Sequence, residues 1–295
     1  MATLYTQSES NIRKTFFLVA VFLVFIIGIA WIFSYYYKNY IILLIAVIFS
    51  IIQSFVSYWY SDKIILKSTN AIPITKNNAK ELYRIVENLC ITAGLPIPKI
   101  YILNEEQPNA FATGRNKNHS VIAVTRGLLE KLEKNEIEGV IAHELSHIGN
   151  KDMLLQTMVV TLVGIVAILS NIFLRFSFWF GEDDNDSSFG FLIAFIAAIL
   201  APTAAMLIHL AISRKREFLA DSTAALITRY PEGLANALEK ISKDETPLKK
   251  ASNSNAHLFI ANPFRGKQKK SWASKLFMTH PPIEERIKIL RDMSV

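Results

Sequence analysis

The chain carries two histidines four positions apart with a glutamate between them. His143, Glu144 and His147 lie in the sequence HELSH. On an α-helix, residues four apart project from one face, so both imidazoles can bind a single metal ion. Glu144 is then placed beside that ion, where a carboxylate can act as general base toward an attacking water. The spacing predicts a hydrolytic metal site, with one zinc ion (Zn2+) per chain as the cofactor.

A catalytic zinc site takes three protein ligands and leaves one position open. The extended pattern with a third histidine fails, because Met153 stands where that histidine would be. Glu217 and Asp221 lie one helical turn apart after the last apolar run. Glu217 can reach the metal from a second helix, and Asp221 can accept the free N–H of a ligand histidine. The alternative is an ordinary ion-pair helix in which the two acids are balanced by Arg214, Lys215 and Arg216.

The HELSH sequence must lie on a helix for this chemistry to work. Asn135 and Glu138 resemble a capping box, which predicts a helix over Asn135–Asp152. Its buried face would be formed by apolar residues at helical spacing, namely Ile137, Val140, Ile141, Leu145 and Ile148.

Four uncharged apolar runs separate membrane from aqueous parts of the chain. They are Phe16–Tyr37, Tyr40–Tyr60, Met153–Leu174 and Ser187–Ile212. Each exceeds the ~20 residues that cross a ~30 Å hydrocarbon core as a helix. The sequence therefore predicts four transmembrane helices and the lipid bilayer as a partner.

The charges indicate which side of the membrane each part occupies. Only 19% of the residues are charged, and the net charge is +7. Most short-loop cations flank the runs on the side of the two termini, so the termini and hydrophilic segments should be cytoplasmic. No basic motif interleaved with aromatic residues is visible, which excludes nucleic acid as an expected partner.

The membrane runs divide the chain into four parts: residues 1–61 and 153–212 as two transmembrane hairpins, and 62–152 and 213–295 as two halves of one cytoplasmic domain. In that domain, local patterns predict a helix over Lys76–Ala93, a strand over Lys99–Leu103 and a hairpin of Ala110–Thr113 with Ser120–Thr125. The polar segment Leu248–Lys275 favours a mobile loop. The predicted fold is a mainly α membrane protein with a cytoplasmic α+β domain and a small β-sheet.

Four segments of the sequence resemble motifs of the HtpX family of membrane zinc metalloproteases, and their order and spacing match as well. The members of this family are gluzincins related to the CAAX prenyl endopeptidases. The four segments are NAFATGR from Asn109, HELSH from His143, REFLAD from Arg216 and THPP from Thr279. The resemblance covers nearly all of the chain. It implies a zincin-type catalytic domain in a multi-pass protein of the bacterial inner (plasma) membrane. It also implies protein or peptide substrates, with a role in the quality control of damaged or misfolded membrane proteins.

The resemblance also implies roles for individual residues. Glu217 would be the third zinc ligand, Glu144 the catalytic base and Asp221 a support for a ligand histidine. Contacts with the substrate or transition state are implied for Asn109, His280 and Arg286. The residues themselves leave alternatives open. His280 could cap a C-terminal helix that contains the following prolines, Arg286 could pair with Asp292 or Glu284, and the strand at Asn109–Thr113 could be merely structural rather than a site for an extended peptide.

The sequence also leaves other functions to consider, each of which makes a different demand on the apolar runs. A CAAX-type prenyl-protein protease has the same zinc chemistry, but that family has more spans than the four found here. A site-2 type protease would carry its HExxH motif inside an apolar run. A transporter or a non-catalytic membrane scaffold is favoured only by Pro202 and His209, which lie in the fourth run.

Overall fold

The computed structural model describes residues 4–36, 38–180, 214–252, 255–263 and 281–293. Within them the helices are α1 (Leu4–Tyr36), α2 (Tyr40–Ser68), α3 (Lys80–Ala93), α4 (Arg126–Lys131), α5 (Lys134–Gly149), α6 (Asp152–Phe180), α7 (Arg214–Thr228), α8 (Pro231–Lys243) and α9 (Ile283–Arg291). The strands are β1 (Ile72–Pro73), β2 (Lys99–Leu103), β3 (Ala110–Asn116) and β4 (His119–Thr125). The protein is thus mainly helical with a small sheet, as predicted.

Two helices in the described part of the chain are long and apolar enough to cross a membrane. They are Asn11–Tyr35 and Tyr40–Ser68, which correspond to the first two predicted spans. The predicted third span, Met153–Leu174, lies within α6, whose stretch Asp152–Val166 is apolar. The predicted fourth span, 187–212, lies outside the described residues. Helix α1 packs on α6 through apolar side chains that include Leu18, Phe22, Leu155 and Val159.

The sheet has the order β1-β2-β4-β3, so β3 is an edge strand. Strand β2 runs parallel to β4, whereas β3 and β4 form an antiparallel hairpin. The prediction for β2 is confirmed to the residue, and the predicted hairpin is confirmed with longer strands. Helix α3 begins at Lys80, four positions later than predicted, and ends as predicted at Ala93. Its C-cap is Gly94, whose φ of 63° is left-handed.

Helix α5, which carries HELSH, is surrounded by other helices and the sheet. It packs against α3, α7, α8 and β3, so that most of its surface is buried. The predicted cap was wrong by two positions, because the capping box is formed by Glu133 and Glu136 instead of Asn135 and Glu138. The pattern of a polar residue followed three positions later by Glu occurs twice here, and the helix uses the earlier copy.

The prediction of a mobile loop after Leu248 was wrong for its first part. Phe259 and Ile260 are 0% and 1% exposed, and the Phe259 ring packs edge-on against Phe111 of β3 at 5.3 Å. The Ile260 N–H donates to the Ala110 carbonyl at 3.0 Å. A short apolar run in a polar sequence is therefore packed against the open edge of the sheet.

Candidate metal centre

Three buried side chains converge between α5 and α7. The Nε2 atoms of His143 and His147 lie 3.2 Å apart. The Glu217 carboxylate approaches both, with one oxygen 3.8 Å from His143 Nε2 and the other 3.7 Å from His147 Nε2. All three residues are at most 4% exposed. The structure therefore brings together the two histidines and the glutamate that the sequence singles out.

This arrangement suits a metal ion such as zinc. Around a tetrahedral ion with ~2.0 Å bonds, neighbouring ligand atoms lie ~3.3 Å apart, close to the separations found here. One ligand atom from each of the three residues can be chosen so that all lie within 4.8 Å of one another. Imidazole nitrogens and a carboxylate are the ligands of catalytic zinc sites. The donor set fits a zinc ion.

The Nδ1 side of His143 is held by a carboxylate and an arginine. Asp221 Oδ1 lies 2.9 Å from His143 Nδ1. Arg286, from α9, donates to both oxygens of this carboxylate, from Nε at 2.8 Å and from Nη2 at 2.7 Å. Arg286 is fully buried, and it pairs with Asp221 instead of the alternative partners Asp292 and Glu284. Although burial raises the Asp221 pKa, the Arg286 charge outweighs this and lowers it to about 2.

A second carboxylate, which the sequence analysis missed, holds the ring of His147. Asp152 Oδ2 lies 3.1 Å from His147 Nδ1. Both rings thus point Nε2 toward the shared centre while Nδ1 faces a carboxylate, an arrangement that fixes the orientation of metal-binding imidazoles. The available signal was an acidic residue five positions after His147, at the break before an apolar run.

The two imidazoles differ in their electrostatic surroundings. Burial lowers the pKa of His143 to about 4, so this ring is neutral. Burial also acts to lower the pKa of His147, but the Asp152 hydrogen bond and the charges of Glu217 and Glu144 raise it to about 9. Metal binds a neutral imidazole, so metal binding and protonation compete at this site. Glu144 is itself only 2% exposed, and its charge acts on both His147 and Arg286.

The three residues predicted to contact the substrate are placed differently from one another in the structure. Asn109 is fully buried, and its carboxamide exchanges hydrogen bonds with the backbone of Ala261 at 3.0 and 3.3 Å. This carboxamide is thus engaged by backbone hydrogen bonds in the structure. Arg286 is engaged by Asp221, and His280 lies outside the described residues.

Comparison with known proteins identifies a family. The model of peptidase family M48 matches residues 76–294. A "Protease HtpX homolog" from Caldanaerobacter subterraneus subsp. tengcongensis is 43% identical over 302 residues, covering 99% of both chains. Another, from Pyrococcus furiosus, is 49% identical over 256 residues, covering 86% of this chain and 87% of that protein.

A solved structure has the same fold. The crystal structure of S. mikatae Ste24p aligns with a TM-score of 0.50 at 18% identity, covering 99% of this chain and 67% of that one. Together with the two apolar helices and the buried His-His-Glu cluster, these matches lead to one conclusion. The chain belongs to peptidase family M48 and is a membrane metalloprotease.

Proposed function

We propose that this protein is a zinc endopeptidase that hydrolyses peptide bonds at the cytoplasmic surface of the bacterial inner membrane. His143, His147 and Glu217 hold one zinc ion, and four transmembrane helices anchor the two halves of the aqueous domain. The observation that carries the proposal is the convergence of two Nε2 atoms and the Glu217 carboxylate, with a carboxylate behind each ring.

When bound, zinc supplies a Lewis acid that lowers the pKa of a water toward ~7 and polarises a carbonyl. Glu144 removes a proton from the attacking water and returns it to the leaving amine nitrogen. Asp221 and Asp152 keep the two imidazole rings oriented, and Arg286 holds Asp221 ionised. No covalent intermediate with the enzyme is needed. The predicted transition-state contacts of Asn109, His280 and Arg286 stay predictions.

The substrates that we propose are damaged or misfolded membrane proteins. The curated relatives support a protease of the HtpX type. The likeness to Ste24p is at the level of the fold, so it does not favour prenylated substrates over others. A site at the membrane surface lies where exposed segments of unfolded membrane proteins meet the cytoplasm.

The test uses the full-length protein purified in detergent. We expect about one zinc per chain and cleavage of unfolded casein that stops with a chelator and returns with added zinc. Glu144→Gln should retain zinc and lose about 10²–10⁴-fold in turnover, the usual contribution of a general base. Glu138→Gln, at a half-buried position on the same helix, is the matched control. Equal cleavage by the Glu144→Gln protein would refute the assigned base.

A further inference from the structure

We infer that Asn11 and Asp152 are positioning residues for His147, so that the packing of the first membrane helix sets the affinity of the site for zinc. This inference rests on the proposed function, since it concerns the same metal centre. It extends that centre to α1, a helix outside the catalytic domain.

The Asp152 carboxylate divides its two oxygens between the metal site and the membrane helix. Oδ2 lies 3.1 Å from His147 Nδ1, and Oδ1 accepts a hydrogen bond from Asn11 Nδ2 at 2.5 Å. Asn11 and Asp152 are both 1% exposed. A buried carboxylate requires donors, and here one of them comes from α1.

Asn11 also holds the end of the helix that carries both histidines. Its Nδ2 donates to the carbonyl of Asn150 at 3.2 Å, and Asn150 is the C-cap residue of α5. Only Lys151, with a left-handed φ of 57°, separates this cap from Asp152 at the start of α6. One amide of α1 therefore contacts both sides of the joint between α5 and α6.

The arginine beside Asp152 is poorly placed to replace the Asn11 amide. Arg216 Nε lies 3.5 Å from Asp152 Oδ1. Arg216 is 3% exposed, and its Nη1 and Nη2 atoms have no hydrogen-bond partner among the described residues. Without the Asn11 amide, Asp152 would retain a long contact with Arg216 and could turn away from His147. The ring of His147 would then be less well oriented for the metal.

The experiment compares zinc binding by three variants of the full-length protein with the wild type. Zinc affinity is measured by competition with a chromophoric chelator, and the coordination by the visible spectrum of the Co2+-loaded protein. Asp152→Ala should weaken zinc binding about 10–100-fold, the usual effect of removing a partner of a ligand histidine. Asp152→Asn, which keeps an acceptor for His147, should recover part of this loss. Asn11→Leu should weaken binding about fivefold, the equivalent of one ordinary hydrogen bond.

Thr15→Val is the matched control, because Thr15 is buried one turn along α1 and its hydroxyl donates to the backbone carbonyl of Asn11. It should bind zinc as the wild type does and leave the Co2+ spectrum unchanged, whereas Asn11→Leu should change both. If the Asn11→Leu protein bound zinc with wild-type affinity and gave the wild-type Co2+ spectrum, this inference would be overturned but the proposed function would not. Equal losses of zinc affinity in Asn11→Leu and Thr15→Val would have the same consequence. A wild-type protein that binds no zinc would overturn the proposed function as well.

Discussion

Arg286 and Asp221 form a two-pronged ion pair in the protein interior, although they are 65 positions apart in the sequence. The pair connects the C-terminal helix α9 to α7 and, through Asp221, to the ring of His143. Because both side chains are excluded from water, removal of one charge leaves the other uncompensated.

We expect Arg286→Met to destabilise the protein strongly, by about 3–5 kcal/mol, as is typical when one partner of a buried ion pair is removed. Arg286→Lys should recover only part of this loss, since an ammonium cannot reproduce the planar, two-pronged contact. Unfolding of the detergent-solubilised protein, followed by heat or denaturant, measures the difference. Arg291→Met on the same helix is the control, because Arg291 pairs with Glu239 at the surface. If Arg286→Met and Arg291→Met lowered the free energy of unfolding by similar amounts, burial of the ion pair would not explain the loss.

Glu217 and Glu144 should respond differently to the same substitution. Glu217→Gln removes the charge of the proposed third ligand, so zinc affinity should fall by more than the ~10–100-fold typical of losing an outer hydrogen-bond partner. Glu144→Gln should retain the metal. Equilibrium dialysis against a zinc buffer, with metal content measured for both variants, separates the two roles. Retention of zinc by the Glu217→Gln protein at wild-type affinity would show that a different group supplies the third ligand.

Gly139 allows α5 and α8 to approach closely. A Cβ atom at this position would lie 2.6 Å from the backbone nitrogen of Leu234, which is too close for any side chain. We expect Gly139→Ala to destabilise the protein by about 1–3 kcal/mol through overpacking. Gly164→Ala on α6 should lose no stability, because no atom of the described residues beyond its own helix backbone and chain neighbours lies within 4 Å of the corresponding Cβ position. Thermal unfolding of the two variants in one detergent tests this, and equal midpoints would contradict it.

The orientation in the membrane can be tested with single added cysteines. The native Cys90 is 1% exposed and burial raises the pKa of its thiol to about 11, so it should not react with a maleimide at neutral pH. Lys117→Cys lies at the exposed tip of the hairpin between β3 and β4, and we expect an impermeant maleimide to label it only in inside-out vesicles.

Lys38→Cys, in the exposed link between α1 and α2, serves as the matched position on the other side of the membrane. It should be labelled only in right-side-out vesicles. Labelling of the position 117 thiol from outside would overturn the cytoplasmic placement of the domain.

Sequence reasoning succeeded where the signal lies within one helix or one strand. The i, i+4 spacing of His143 and His147 fixes their common face once the segment is helical, and the short run of strand-forming residues in Lys99–Leu103 predicts a strand. It did not identify Asn11, because the contact of Asn11 with Asp152, 141 positions away, leaves no local pattern. The packed run at Phe259 was missed for a related reason, since its burial depends on the open edge of β3.

The metal centre joins residues made early in synthesis to residues made late. His143 and Arg286 lie 143 positions apart. At a ribosomal rate of ~5–20 residues per second, the interval between them is on the order of ten seconds. The ion pair that holds Asp221, and through it the ring of His143, can therefore form only after α9 has been made.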